Sequence, residues 1–119
     1  MALIAGLIIK LFIFDLMMTN GQSMSPTIKN GTVLIINRLQ YGLRFPWQKK
    51  FLVRWAEPKP GEVVVFYTPA GDIAVKRCEA VSKDGLFTAF GDNAPQSYDS
   101  RSYGPVPVDN AIGRVMGYK

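Results

Sequence analysis

The chain has 119 residues, 48% of them hydrophobic and 19% charged, with a formal net charge of +5, a single cysteine and no histidine. That is room for one small domain, and the balance is too apolar for a disordered or fibrous chain. Without histidine, Ser-His-Asp and Cys-His catalysis and His-ligated zinc are excluded, and Cys78 alone forms neither an internal disulfide nor a cysteine-rich metal site.

Ala2 to Met18 reads ALIAGLIIKLFIFDLMM, apolar except for Lys10 and Asp15, and at about seventeen residues it is near the lower limit for crossing a hydrocarbon core. It lacks the basic start, the short apolar run and the small-x-small exit of a cleaved signal peptide. An uncleaved anchor and a buried or surface-lying amphipathic helix both fit: Lys10 can snorkel, whereas Asp15 cannot easily do so. The expectation is an anchor over residues 1–18. No Lys or Arg precedes it, so charge does not set its orientation.

Next comes Gly21 to Thr27, GQSMSPT, a turn-like segment that carries a hydroxyl, Ser23, just past the apolar run. Serine in such a turn serves backbone hydrogen bonding as readily as chemistry. From there short runs rich in β-branched and aromatic residues alternate with turns: Thr32 to Ile36, Glu62 to Tyr67, Ile73 to Val81 and Leu86 to Phe90 each read as a strand. Lys29-Asn30-Gly31, Pro58-Lys59-Pro60-Gly61, Pro69-Ala70-Gly71-Asp72 and Lys83-Asp84-Gly85 separate them, and the last predicts a hairpin. With eight prolines and eleven glycines in the chain, the fold class is mainly β.

Arg38 to Trp55 resists a strand assignment. It mixes Tyr41, Phe45, Trp47, Phe51 and Trp55 with five basic residues and no acidic one. This composition suits the lipid headgroup layer, and also single-stranded nucleic acid or a surface loop pinned by aromatics; the neighbouring apolar segment favours the membrane, for a segment of about 38–57.

Lys76 stands within the apolar run IAVKRCEAV, on the face shared with Ala74. A buried lysine loses pKa by desolvation and can hold the neutral amine that a serine hydroxyl needs as general base; an edge-strand lysine facing solvent does nothing of the kind. Gly91 to Pro107 is a long polar loop, in which Asp99 and Arg101 can form an ion pair and the Ser97 hydroxyl can hold the lysine amine. Cys78 reads as a small buried apolar residue.

In this order the segments resemble the bacterial type I signal peptidases, the Ser-Lys family that cleaves leader peptides, over nearly the whole chain. Ser23 to Thr27 (SMSPT) resembles the nucleophile box and Tyr41 to Pro46 (YGLRFP) the membrane-associated segment. Pro60 to Phe66 (PGEVVVF), Val75 to Arg77 (VKR) and Gly91 to Gly104 (GDN with SYDSR and YG) resemble the remaining boxes. The resemblance implies a small antiparallel sheet or barrel-like catalytic domain over 19–119, with one transmembrane helix before it. It implies that Ser23 attacks the scissile carbonyl, Lys76 is the base, Ser97 orients Lys76, and Asp99 and Arg101 brace the site. Met24, Ile28, Val65 and Val75 would line shallow pockets for small-x-small signal peptides, and the substrate would add as a strand beside the one carrying Lys76.

The oxyanion would be held by the Ser23 N–H; some family members add a serine hydroxyl two residues earlier, where this chain has Gly21. Pro60, Glu62 and Ala94 also depart from common family residues. Only about thirteen residues separate Arg77 from Gly91, as in a minimal member without the family's β-rich insertion. The partners implied are preproteins and lipid, with no cofactor, metal or nucleic acid, in a single-pass protein of the cell membrane with its catalytic domain on the extracytoplasmic face. A self-cleaving repressor-type or a dedicated pilus or conjugation Ser-Lys peptidase is the nearest alternative, and a non-catalytic membrane-anchored β domain is the alternative of another class.

Overall fold

A computed structural model describes residues 14–19, 21–43, 53–54 and 56–118. Among them nine strands form: β1 (Phe14–Met18), β2 (Val33–Asn37), β3 (Gly42–Leu43), β4 (Val53–Arg54), β5 (Val63–Tyr67), β6 (Ile73–Val81), β7 (Leu86–Phe90), β8 (Val106–Pro107) and β9 (Ala111–Tyr118). Seven join in one antiparallel sheet, in the order β1-β2-β9-β5-β6-β7-β8, while β3 and β4 pair separately. One short helix, α1 (Ser100–Tyr103), follows Asp99, whose side chain caps it by accepting from the Arg101 N–H.

The four strands expected from short β-branched runs are all present, shifted by one residue at most. The Lys83-Asp84-Gly85 turn joins β6 to β7 with Gly85 at φ +79°, a conformation that favours glycine. The apolar N-terminus is a correction. Its residues 14–18 are not helix: they form β1, in register with β2 from Phe14 opposite Asn37 to Met18 opposite Val33. Among the described residues no helix is long and apolar enough to cross a membrane, and the rest of the expected anchor, residues 1–13, lies outside them.

Successive residues of a strand face opposite ways, so the sheet carries a core on each face. Val64 and Phe66 point into one, with Tyr41, Cys78, Phe87, Ala89, Val106, Val108 and Ala111. Phe66 and Phe87 meet edge to face there, 5.3 Å between centroids. Val65 points into the other, with Met24, Ile28, Leu34, Ile36, Ile112 and Val115. Tyr41 corrects a second expectation: it is fully buried in the first core, donating its hydroxyl to Glu62 at 3.0 Å, and is not at a headgroup surface. Arg38 and Arg54 of the same basic stretch pair with Asp15 and Asp109; residues 44–52 and 55 lie outside the described part.

In a flat sheet β1 and β6 would stand four strand spacings apart, about 19 Å. Instead Met17 and Met18 of β1 and Ile73 to Lys76 of β6 wall one cavity, so the sheet curls into a half-barrel. Register shifts at Ile35/Ile36, Val65/Phe66 and Cys78/Ala80 mark bulges, which bend strands. The curl leaves an open seam: β7 meets β6 only from Arg77 onward, so among the described residues Ile73 to Lys76 are paired on the β5 side alone.

Candidate active site

Ser23 lies in the turn between β1 and β2, and Lys76 in the half of β6 that borders the seam. The loop ahead of β2 folds back on itself through Ser25 N–H to Gln22 O (3.1 Å) and Ile28 N–H to Met24 O (2.8 Å), and Met24 and Ile28 are anchored in the second core. This brings Ser23 Oγ to 2.7 Å from Lys76 Nζ, across 53 residues of sequence. Lys76 is 8% exposed. Burial pulls its pKa below the ordinary lysine value, with the Asp99 carboxylate opposing. As an ammonium, Nζ donates to Oγ; as an amine it accepts the hydroxyl proton over the same distance, which is the geometry of a nucleophile and its base.

The loop after β7 supports this pair from behind. Gly91 passes so close to the nucleophile turn that a Cβ on it would lie 2.6 Å from Ser23 O and 2.1 Å from Ser97 Oγ. Ser97 donates to Asp99 Oδ2 at 2.5 Å, and Asp99 also accepts from the Gly91 N–H (2.7 Å) and the Arg101 N–H (3.0 Å). Burial alone would raise the Asp99 pKa; the bonds from Ser97, Gly91 and Arg101 and the Arg101 charge outweigh it and hold the group below the usual carboxylate range. Arg101 completes the brace, with Nη2 donating to Gly91 O at 3.0 Å and its guanidinium 4.6 Å over the Phe90 ring. Asp99 and Arg101 thus hold Gly91. Among the described residues no hydrogen bond joins Ser97 to Lys76.

Next to Lys76, Arg77 grips Asp92 with Nε (3.0 Å) and Nη2 (2.9 Å) and donates Nη1 to Gly61 O. Hydrogen bonding to Arg77 is the main cause that lowers the Asp92 pKa, and burial opposes it. Asn93 then meets the nucleophile turn twice, its N–H donating to Ser23 O at 2.7 Å and its Nδ2 to Gln22 O at 2.9 Å. The motif Gly-Asp-Asn was visible in the sequence, but these contacts were not.

The cavity at the seam, about 250 Å³, is bounded by Ser23 and Lys76 and lined by Met24, Ile28 and Val75, three of the four pocket residues expected. Val65 is fully buried in the core behind them and is not on the wall. Met17, Met18, Thr19, Gly21, Ile73 and Ala74 also line it. Met17 and Met18 escaped sequence reasoning because an apolar run read as an anchor hides which of its residues face a cleft. Gly21 has φ +120°, and its N–H is taken by Asn30 Oδ1 at 2.8 Å. Cys78 is buried at 2% exposure, as expected.

Residues 1–84 and 74–118 match the family model described as signal peptidase, peptidase S26. Mitochondrial inner membrane protease subunit 1 of Xenopus tropicalis is 31% identical over 116 residues, 87% of this chain and 68% of that protein. Signal peptidase I of Bacillus caldolyticus is 23% identical over 145 residues, covering 90% and 80%. Signal peptidase I of Haemophilus influenzae is 24% identical over 110 residues, covering 90% of this chain and 29% of that longer protein.

Proposed function

Because the chain belongs to the type I signal peptidase family, peptidase S26, we propose that this signal-peptidase-type protease is a membrane-bound endopeptidase that cleaves exported preproteins after small-x-small sites, with Ser23 as nucleophile and Lys76 as general base. The observation that carries this reading is the 2.7 Å contact between Ser23 Oγ and a buried Lys76 Nζ whose pKa is lowered by desolvation.

In the mechanism, neutral Nζ takes the Ser23 proton as Oγ bonds to the scissile carbonyl carbon. The oxyanion of the tetrahedral intermediate is met by the Ser23 N–H. Collapse breaks the C–N bond, and the Lys76 ammonium returns its proton to the leaving amine. Lys76 then takes a proton from water as its oxygen attacks the acyl-enzyme; collapse breaks the bond to Ser23 Oγ, and the Lys76 ammonium returns the proton to Oγ, which regenerates the hydroxyl and the neutral amine. Ser97, Asp99 and Arg101 are assigned to holding the loop behind the dyad.

The substrate would enter the seam extended, between the free edge of β6 at Ile73 to Lys76 and the end of β1, with backbone hydrogen bonds for affinity. A cavity of about 250 Å³ walled by Met24, Ile28 and Val75 suits small side chains and excludes bulky ones. Single-pass location at the cell membrane is supported by the sequence of residues 2–13 and by the outward face of β1 and β2, and the extracytoplasmic orientation follows from the proposed substrate, an exported preprotein. There Leu16 lies opposite Ile35 and Met18 opposite Val33, all four exposed.

The test is cleavage of a preprotein by the reconstituted full chain. Wild type is expected to cut, and Ser23→Ala and Lys76→Ala to be inert while melting at or near the wild-type temperature. Retained cleavage by either variant would remove the dyad.

A further inference from the structure

Position 21 leaves the oxyanion site with no side-chain donor from that residue, and the Gly21 N–H is already taken by Asn30. Stabilisation then depends on how well the Ser23 N–H is aimed. That N–H belongs to the same planar peptide as the Gln22 carbonyl, and in a trans peptide the two point in opposite directions. Whatever holds Gln22 O therefore aims Ser23 N–H.

Gln22 O accepts two bonds, from Ser25 N–H at 3.1 Å and from Asn93 Nδ2 at 2.9 Å. The next carbonyl, Ser23 O, accepts from the Asn93 N–H at 2.7 Å. One residue thus grips both peptide planes flanking the Ser23 Cα, and among the described residues the Ser23 N–H, on the far side of its plane, has no acceptor. Asn93 is itself fixed: Asp92 beside it is clamped by Arg77, the residue after Lys76.

We infer that Asn93 is a positioning residue for the oxyanion site, its carboxamide holding the Gln22–Ser23 peptide so that the Ser23 N–H faces the carbonyl oxygen under attack. This rests on the assignment of Ser23 and Lys76 above. A mobile peptide would mis-aim its N–H without disturbing substrate binding in the cavity or the 2.7 Å dyad contact. The loss should therefore appear in the transition state and not in the ground state.

The experiment uses the full chain with Asn93→Asp, which keeps the shape but replaces the donor by an acceptor, Asn93→Ser, a shorter donor, and Asn93→Ala. For each, kcat and KM on a preprotein peptide, the pH profile and the melting temperature are measured. So is the affinity for two inhibitors, a peptide aldehyde that adds to Ser23 Oγ and the matching peptide alcohol, which fills the cleft without forming an oxyanion. Asn93→Asp and Asn93→Ala are expected to lose roughly 10- to 100-fold in kcat, less than removal of a direct oxyanion donor, with Asn93→Ser between them and wild type. Aldehyde affinity should fall in step, while KM and alcohol affinity stay at wild-type values in all three variants and the acid limb of the pH profile stays in the uncharged Ala and Ser variants.

Wild-type kcat in the Asp and Ala variants would overturn the inference. So would losses that follow the melting temperature across the three variants, or that fall equally on aldehyde and alcohol. If instead Ser23→Ala still cleaves, the dyad itself is wrong; full activity in the Asn93 variants beside an inert Ser23→Ala sinks this inference alone.

Discussion

Gly91→Ala perturbs the site through a single methyl group. Gly91 does not have a left-handed φ, so the clash alone is tested. An ideal Cβ there lies 2.1 Å from Ser97 Oγ, 2.6 Å from Ser97 Cβ and 2.6 Å from the Ser23 carbonyl oxygen, against the roughly 3.5 Å or more of ordinary packing between carbon atoms. Turning the Ser97 hydroxyl away from Asp99 relieves only the Oγ contact and leaves a buried carboxylate short of a donor at a cost of about 1–3 kcal/mol, while the Ser97 Cβ contact yields only to a backbone shift. Ser23 O is backbone and can escape only if the whole nucleophile turn moves, an overpacking cost of about 1–3 kcal/mol more. The sum, about 2–6 kcal/mol, is a large share of the roughly 5–15 kcal/mol that holds such a domain folded, and at about 3–6 °C per kcal/mol the melting temperature should fall by about 6 °C or more. Displacing Ser23 by about 1 Å from Lys76 should also cost on the order of 100-fold in kcat at temperatures where the variant is still folded. Calorimetry and a preprotein cleavage assay measure the two effects. An unchanged melting temperature together with a wild-type rate would refute the close packing of Gly91 against the nucleophile turn.

Three further outcomes follow from the buried titratable groups. Only the neutral amine of Lys76 accepts the Ser23 proton, so kcat/KM should rise with pH along an acid limb whose midpoint lies below the ordinary lysine value of 10.5. Asp99→Asn, by removing the carboxylate that raises the Lys76 pKa, should move that limb to lower pH, and a shift upward would contradict the assignment. Cys78 is 2% exposed, and its thiol is pushed up to about 11 by burial, with Glu62 and Glu79 adding to the effect. A thiol-disulfide reagent at neutral pH should therefore label it only after denaturation, and rapid labelling of the native chain would show that the first core is open.

The central strands were legible because β5, β6 and β7 are short runs of apolar, β-branched and aromatic residues bounded by turns. The order of the boxes also made Ser23 and Lys76 legible, as residues that a curled sheet could bring together. β1 was not, because FDLMM continues an apolar run and carries no period that separates strand from helix; one face of it, Phe14, Leu16 and Met18, is exposed. β9 went unassigned because Gly113 and Gly117 look like breakers. Gly113 is there for contact: a Cβ on it would lie 2.6 Å from Asn37 O, in the ladder joining β9 to β2. Tyr41 was grouped with its basic neighbours, since composition does not distinguish a ring at an interface from one whose hydroxyl has found a buried carboxylate.

The position of β9 also bears on when the enzyme can first act. It pairs with β2 on one side and β5 on the other, so it joins the half of the sheet that leads into Ser23 to the half that carries Lys76. Residues 111–118 emerge from the ribosome long after both. Until they do, no ladder among the described strands joins the segment that leads into Ser23 to the one that carries Lys76. Such late assembly of non-local strands is slow, and if Ser23 and Lys76 act as proposed, cleavage waits until the domain has been synthesised through β9.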